Sequence, residues 1–130
     1  AVIYEKGIDV RENVEKDLFF KTVPEYVQRI FTGLIDNAVK YEPSGGKIEV
    51  SLKREKGKFI YSVKNYGSVI SENDIPHIFE RFYRGDRART ANSGHGLGLA
   101  IIKQLADMIN AEIRVASSDK DGTVFSVIFG

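Results

Sequence analysis

The segment Gly94-His95-Gly96-Leu97-Gly98-Leu99-Ala100-Ile101 combines alternating glycines with the start of a helical pattern. Glycine has no Cβ, so a backbone with glycine at every second position can approach a ligand closely. Apolar residues then recur at helical spacing, at Leu99, Ile102, Leu105, Ala106 and Ile109. The first N–H groups of a helix lack partners and lie at its positive end, which suits phosphate. The segment therefore predicts a phosphate-binding loop at a helix N-terminus, with a structural turn as the alternative.

The composition predicts one globular domain over residues 1–130. Hydrophobic residues make up 42% of the 130 residues and charged residues 28%, which is ordinary for such a domain. The formal net charge of +1 argues against non-specific nucleic-acid binding, so we expect no nucleic-acid partner. The absence of cysteine excludes disulfides, thiolate metal sites and thiol nucleophiles. Because the chain has no initiator Met and its last strand-like segment stops abruptly, we expect it to be a fragment of a larger protein.

Hydrophobic periodicity predicts an α+β fold. Strands are expected at 8–10, 18–23, 48–52, 59–63, 113–117 and 123–129, and helices at 22–41, 74–79 and 97–110. The Thr22-x-x-Glu25 pattern with Pro24 marks the start of the first helix. Residues 84–93 are polar and unpatterned, which is typical of a mobile loop. We therefore expect a two-layer α/β sandwich with three helices on one face of a mixed sheet.

Three polar residues near the end of the first helix share one face. Asn37, Lys40 and Tyr41 stand at i, i+3 and i+4. An amide oxygen, a cation and a phenol directed at one place can hold a metal-bound polyphosphate, with Asn37 as an oxygen ligand to Mg²⁺. A solvated helix face is the alternative interpretation.

Two further blocks have an ordinary structural interpretation when each is taken alone. Asn65 and Gly67 follow a predicted strand and suit a tight turn. In the block Phe79-Glu80-Arg81-Phe82-Tyr83-Arg84, the phenylalanines suit a core, and Arg84 is either a surface charge or a bidentate phosphate ligand.

Taken together, these blocks resemble the catalytic ATP-binding domain of sensor histidine kinases. That domain belongs to the ATPase superfamily of DNA gyrase, the ninety-kilodalton heat-shock chaperone and the mismatch-repair ATPases. The resemblance covers the chain from about Ile8 to Phe129 and implies a Bergerat-type ATP-binding fold. The matching blocks are Asn37-Ala38-Val39-Lys40-Tyr41, Asn65-x-Gly67, Phe79 to Arg84, and Gly94-x-Gly96-Leu97-Gly98-Leu99-Ala100.

The resemblance assigns a role to each matching residue. It implies that ATP and Mg²⁺ are the cofactors, that Asn37 binds the metal, and that Asn37 and Arg84 are catalytic. Asn65 is then expected to contact the adenine amino group, and Gly67 to pass beneath the base. The remaining residues implied to contact the nucleotide are Lys40, Tyr41, Ile70, Phe82, Tyr83, Arg84, Gly94, His95, Gly96, Leu97, Gly98 and Leu99.

Three positions depart from the family pattern. Asn65 and Val69 stand where the family usually has aspartate and glycine, and Gly33 stands where it has asparagine or a catalytic glutamate. A neutral amide in place of a carboxylate weakens a hydrogen bond by roughly 1 kcal/mol, so we expect Asn65→Asp to tighten nucleotide binding. Gly33 supplies no base, which disfavours hydrolysis by an in-domain carboxylate.

The resemblance implies that this domain donates the γ-phosphoryl group of ATP to a histidine on the dimerisation domain of a two-component sensor kinase. Neither His77 nor His95 lies in the family's acceptor motif, so the isolated chain is expected not to label itself. The resemblance also implies that the isolated domain is monomeric. The implied partners are that dimerisation domain and a response regulator receiver domain, within a homodimeric, membrane-anchored parent whose catalytic domain is cytoplasmic. The alternatives are a degenerate module that acts through protein contacts and, ranked lower, a serine kinase of the anti-sigma-factor type.

Overall fold

The computed structural model describes residues 6–16, 18, 22–80 and 98–130. A five-stranded mixed sheet, in the order β1-β2-β3-β5-β4, carries helices on one face. Its strands are β1 (Asp9–Val14), β2 (Lys47–Glu55), β3 (Lys58–Asn65), β4 (Glu112–Ser118) and β5 (Gly122–Phe129). The helices are α1 (Pro24–Tyr41) and α2 (Gly98–Met108), with a short 3-10 helix at Ile75–His77.

The predicted hairpin forms the centre of the sheet. β2 and β3 pair antiparallel with Val50 opposite Val63, and alternate residues of both strands are buried. Lys56 and Gly57 connect them with φ of 52° and 78°, the left-handed conformation that a two-residue hairpin turn requires. β1 joins β2 in parallel, whereas the other pairs are antiparallel, so the sheet is mixed as expected.

The core lies between the sheet and the two helices. α1 buries Ile30 and Leu34 completely, and Phe31 stacks on Tyr61 of β3 with ring centroids 3.7 Å apart. Gly33 faces the second helix: a Cβ at this position would lie 2.8 Å from Cδ1 of Ile102. Gly33 therefore allows α1 and α2 to pack closely.

The end of α1 lies beside the end of β3. Phe31, in the first half of α1, stacks on Tyr61 of the strand. Ala38, near the end of the helix, accepts a hydrogen bond from the last residue of the strand, Asn65. The helix and the strand therefore run in the same direction.

The start of α2 lies at that same end of the sheet. Three residues separate the end of α2 from Glu112, which begins β4 opposite Ile128, near the end of β5. Ile128 is in turn opposite Ile60 at the start of β3. α2 therefore ends where β3 begins. Ile102, in the first half of α2, lies against Gly33 of α1, so α2 extends from there along α1 and its first residue, Gly98, lies towards the end of β3. The two helices run antiparallel, so the last turns of α1 and the first turn of α2 share one end of the sandwich.

The α/β sandwich is confirmed, and three details of the sequence prediction change. The third helical segment is a single 3-10 turn at 75–77 rather than a helix over 74–79. In the predicted strand at 18–23, the described residues 18, 22 and 23 are not in a strand. Val23 rather than Thr22 is the N-cap of α1, so the Thr22-x-x-Glu25 capping box does not form.

The predicted mobile loop at 84–93 lies outside the described residues. None of the described helices has the length and hydrophobicity that crossing a bilayer requires.

Candidate functional site

The structure places the described candidate residues around one end of the sheet. Asn37, Lys40 and Tyr41 occupy the last two turns of α1, Asn65 ends β3, Gly67 and Ile70 follow it, and Gly98 and Leu99 begin α2. The other candidates, Phe82, Tyr83, Arg84, Gly94, His95, Gly96 and Leu97, lie outside the described residues.

Asn65 has a buried side chain with one unused polar atom. The residue is 1% exposed, and its Nδ2 donates to the carbonyl oxygen of Ala38 at 2.7 Å and to Oε1 of Glu42 at 3.0 Å. Its Oδ1 is buried and has no hydrogen-bond partner among the described residues. Leaving a buried acceptor unpaired costs about 1–3 kcal/mol. Within the described part of the chain, this oxygen therefore still lacks a hydrogen-bond donor.

Glu42 holds this arrangement together, and the sequence reasoning missed it. It is the C-cap residue of α1 and is 1% exposed. Besides Asn65, its carboxylate accepts hydrogen bonds from the backbone N–H of Gly67, at 3.2 and 3.0 Å, and of Lys47, at 3.2 Å. A carboxylate at the negative end of a helix is electrostatically unfavourable, and this local inconsistency was the signal in the sequence.

Gly67 has a second reason to be glycine. A Cβ on this residue would lie 2.8 Å from Oε2 of Glu42 and 3.1 Å from Cδ of Pro43. The absence of a side chain therefore makes room for the buried carboxylate, in addition to the expected role beneath a base.

The segment after Asn65 is fixed to the sheet by a chain of hydroxyl groups. The N–H of Ile70 donates to Oγ of Ser117 at 2.8 Å, and Oγ1 of Thr123 donates to the carbonyl oxygen of Ser68 at 2.7 Å. The two hydroxyls lie 2.8 Å apart, so Ser117 donates to Thr123. Ile70 is buried, whereas the side chain of Val69 is exposed. This network holds residues 68–70 in a defined position beside Asn65.

Positive electrostatic features also lie at this end of the sheet. Lys40 is exposed, with its Nζ 5.9 Å from the ring centroid of Tyr41. The first turn of α2 contains no acidic side chain, so the positive end of its dipole is not neutralised from within the helix. Among the described residues, no group of three or more His, Cys, Asp or Glu side chains is arranged to hold a metal ion. The site therefore pairs a buried hydrogen-bond acceptor with a region that favours anions.

Known proteins resemble this chain over nearly its whole length. The sensor histidine kinase YkoH of Bacillus subtilis (strain 168) is 40% identical over 128 residues, which are 98% of this chain and 28% of YkoH. The chain spans about a quarter of the length of the curated relatives it matches.

Solved structures of histidine kinases are also similar to this chain. The nucleotide-free catalytic domain of histidine kinase ThkA superposes with a TM-score of 0.84 at 25% identity, covering 98% of this chain and 81% of that one. Full-length ShkA in complex with AMPPNP gives a TM-score of 0.81 at 25% identity, covering 98% of this chain and 26% of ShkA. Residues 22–130 match the family described as histidine kinase-, DNA gyrase B- and HSP90-like ATPase. The chain belongs to this ATPase family, which confirms the resemblance to the histidine kinase catalytic domain.

Proposed function

We propose that this chain is the catalytic domain of a sensor histidine kinase, which binds ATP with Mg²⁺ and donates the γ-phosphoryl group to a histidine on a separate dimerisation domain. The observation that carries the proposal is the buried Oδ1 of Asn65, which has no hydrogen-bond partner among the residues that the structure describes. It lies at the end of the sheet where the last turns of α1 and the first turn of α2 meet.

Asn65 fits the base of the nucleotide. The 6-amino group of adenine is a hydrogen-bond donor, and Oδ1 of Asn65 is an acceptor that folding has already removed from water. Binding therefore adds a hydrogen bond without a further desolvation cost on the protein side. The AMPPNP complex of ShkA, which shares this fold, also supports an adenine nucleotide as the ligand.

The start of α2 and the last turns of α1 fit the phosphates. The first N–H groups of a helix lack intrahelical partners and its dipole favours negative charge there, so Gly98 and Leu99 suit a phosphate. Asn37 would supply an amide oxygen to Mg²⁺, and Lys40 and Tyr41 would face the phosphates and ribose. Mg²⁺, when bound, neutralises charge on the phosphates during transfer. The remaining ligands of the metal would be phosphate oxygens and water, since the described residues form no acidic cluster here.

The acceptor histidine belongs to another domain in this proposal. His77 is exposed and its Nδ1 lies 2.7 Å from Oε2 of Glu80, outside any motif that resembles a phosphoacceptor. The partners are then the dimerisation domain of the same kinase and a response regulator, and the parent is a membrane-anchored homodimer. Arg84 and the other candidate residues between 82 and 97 stay part of the proposal.

Calorimetric titration with ADP, with and without Mg²⁺, tests the proposal. The chain should bind ADP, and Asn37→Ala should abolish the Mg²⁺ dependence while leaving metal-free ADP binding largely intact. Asn13→Ala, an exposed position on β1, is the matched control. Incubation with labelled ATP should leave the isolated chain unlabelled. No ADP binding at millimolar concentration would favour the degenerate module instead, and stable self-labelling would contradict the assignment of the acceptor to another domain.

A further inference from the structure

We propose that Glu42 is a positioning residue that fixes the orientation of the Asn65 amide, so that the site selects 6-amino purines over 6-oxo purines. The inference rests on the proposed nucleotide binding and concerns a residue outside the four blocks that carry the family resemblance. It follows from how the two ends of one amide are partnered.

The two ends of the Asn65 side chain are not equivalent. Nδ2 can only donate hydrogen bonds and Oδ1 can only accept them. Both partners of Nδ2, the carbonyl oxygen of Ala38 and the carboxylate of Glu42, are acceptors. Turning the amide by half a rotation would place Oδ1 against two acceptors at 2.7 and 3.0 Å. The amide is therefore held with Nδ2 towards these two acceptors and Oδ1 away from them.

Glu42 is itself held so that it can act only as an acceptor. Its oxygens accept from the backbone N–H groups of Gly67 and Lys47. These donors cannot reverse their polarity, because they belong to the main chain. The backbone donors thus require Glu42 to accept, and Glu42 in turn requires Asn65 to donate from Nδ2. The contact with Ala38 alone would occupy only one of the two Nδ2 hydrogens.

A fixed Oδ1 distinguishes purines by the group at their 6-position. Adenine presents an amino donor there, whereas hypoxanthine presents a carbonyl oxygen that would face Oδ1 as a second acceptor. A site built to hydrogen-bond a ligand N–H discriminates strongly against an analogue that lacks it, because the buried polar group is then left without its partner. We therefore expect the chain to bind ADP at least about tenfold more tightly than inosine diphosphate.

The contact between Glu42 and Asn65 leads to a different prediction for Asn65→Asp by itself. The substitution would place a second carboxylate about 3 Å from that of Glu42, in a buried position. Two like charges at this separation disfavour each other's ionised forms. Asn65→Asp alone should therefore weaken ADP binding, whereas Asn65→Asp combined with Glu42→Gln should tolerate the new carboxylate.

The test is a cycle of four proteins, the unmodified chain, Glu42→Gln, Asn65→Asp and the double variant, each titrated with ADP and with inosine diphosphate. Glu42→Gln introduces a donor that can turn the amide, so the ADP preference should fall to less than about threefold. The double variant should recover a preference of about tenfold or more, because both oxygens of the new carboxylate are acceptors and the glutamine can donate to it. In that variant the carbonyl of Ala38 keeps the hydrogen bond that it accepts from the main-chain N–H of residue 42. Glu55→Gln, the same substitution at an exposed position at the opposite end of β2, should leave the preference unchanged.

Each outcome decides the inference. If Glu42→Gln weakens both nucleotides equally and leaves their ratio intact, the role of Glu42 is structural and the inference is wrong. If Glu42→Gln does not fold, the double variant decides alone: a folded double variant that prefers ADP supports the inference, and failure to fold overturns it. If the unmodified chain binds both nucleotides equally, nucleotide binding stands and this inference fails. If it binds neither, the proposed function fails with it.

Discussion

Gly33→Ala tests the close packing that brings α2 beside the site. The added Cβ would lie 2.8 Å from Cδ1 and 3.1 Å from Cγ1 of Ile102, both shorter than ordinary contacts. Ile102 is 4% exposed, so its side chain has little free space into which to move. The substitution therefore overpacks the boundary between the two helices.

Two opposing effects determine how much Gly33→Ala changes the free energy of unfolding. Alanine is better than glycine in a helix interior by about 1 kcal/mol. Overpacking a well-packed core costs about 1–3 kcal/mol. We expect Gly33→Ala to lower the free energy of unfolding by about 0–2 kcal/mol. Ile102→Val removes Cδ1 and by itself costs about 0.5–1.5 kcal/mol.

The double variant separates steric strain from other causes. With Cδ1 absent, the contact at 2.8 Å disappears, so Gly33→Ala with Ile102→Val should be more stable than the sum of the single changes by at least about 0.5 kcal/mol. Urea unfolding with linear extrapolation measures this coupling. The control cycle pairs Gly33→Ala with Ile128→Val, because alternation along β5 places Ile128 on the sheet face away from the helices.

The same cycle has a functional measurement. Gly33→Ala should weaken ADP binding, because displacement of α2 moves its N-terminus relative to Asn37, and Ile102→Val should restore the affinity. Additive stabilities in the Ile102 cycle, within about 0.3–0.5 kcal/mol, would refute the packing argument.

Two further predictions concern the core and the hydroxyl network. Burial, and secondarily the charge of Glu12, raise the pKa of Tyr61 well above its usual value of about 10, so its neutral form is favoured by folding. The free energy of unfolding should therefore decline as the pH rises above about 10, because there the phenol ionises only in the unfolded chain. Ultraviolet absorbance should show one tyrosine that ionises at a higher pH than usual. An unfolding free energy that does not change at high pH would contradict this. Ser117→Ala removes the acceptor of the Ile70 N–H and should cost about 1–3 kcal/mol in urea unfolding. Ser126→Ala, which breaks a half-buried hydroxyl pair with Ser62, is the matched control, and an equal cost for both would refute a special role of the network.

Local sequence patterns predicted most of the fold because its elements are locally consistent. α1 has an apolar stripe with a period of 3.6 residues, and β2 and β3 alternate around a turn at Lys56 and Gly57 that a left-handed backbone requires. The exceptions are short segments. Residues 74–79 contain Pro76, and a span of six residues offers too few hydrogen bonds to sustain a helix without tertiary support. The start of α1 shifted by one residue because the N-cap is Val23, which forms no side-chain cap.

The site was only partly predictable for a different reason. Asn65 and Gly67 lie in a recognisable block, but the residue that partners both, Glu42, is separated from them by 23 and 25 positions. No periodicity or short motif reports a contact made only when the end of a helix meets the end of a strand. A buried carboxylate held by backbone donors is a tertiary feature, and the sequence showed only its cost, an acidic residue at a helix C-terminus.

The position of that carboxylate weakens the case for a degenerate site. Asn65 was expected to reduce affinity because a neutral amide replaces the carboxylate found in similar domains. In this chain a carboxylate is still present, at Glu42, and its contact with Nδ2 orients Oδ1, which has no partner within the described residues. The base would therefore meet an oxygen acceptor that is already fixed and desolvated. The free-energy cost of orienting and desolvating this oxygen then belongs to folding rather than to nucleotide binding. Having asparagine instead of aspartate at position 65 therefore moves the negative charge to the adjacent side chain, Glu42. A nucleotide with a 6-amino group would supply the missing donor to Oδ1 and so restore the stability that folding loses there.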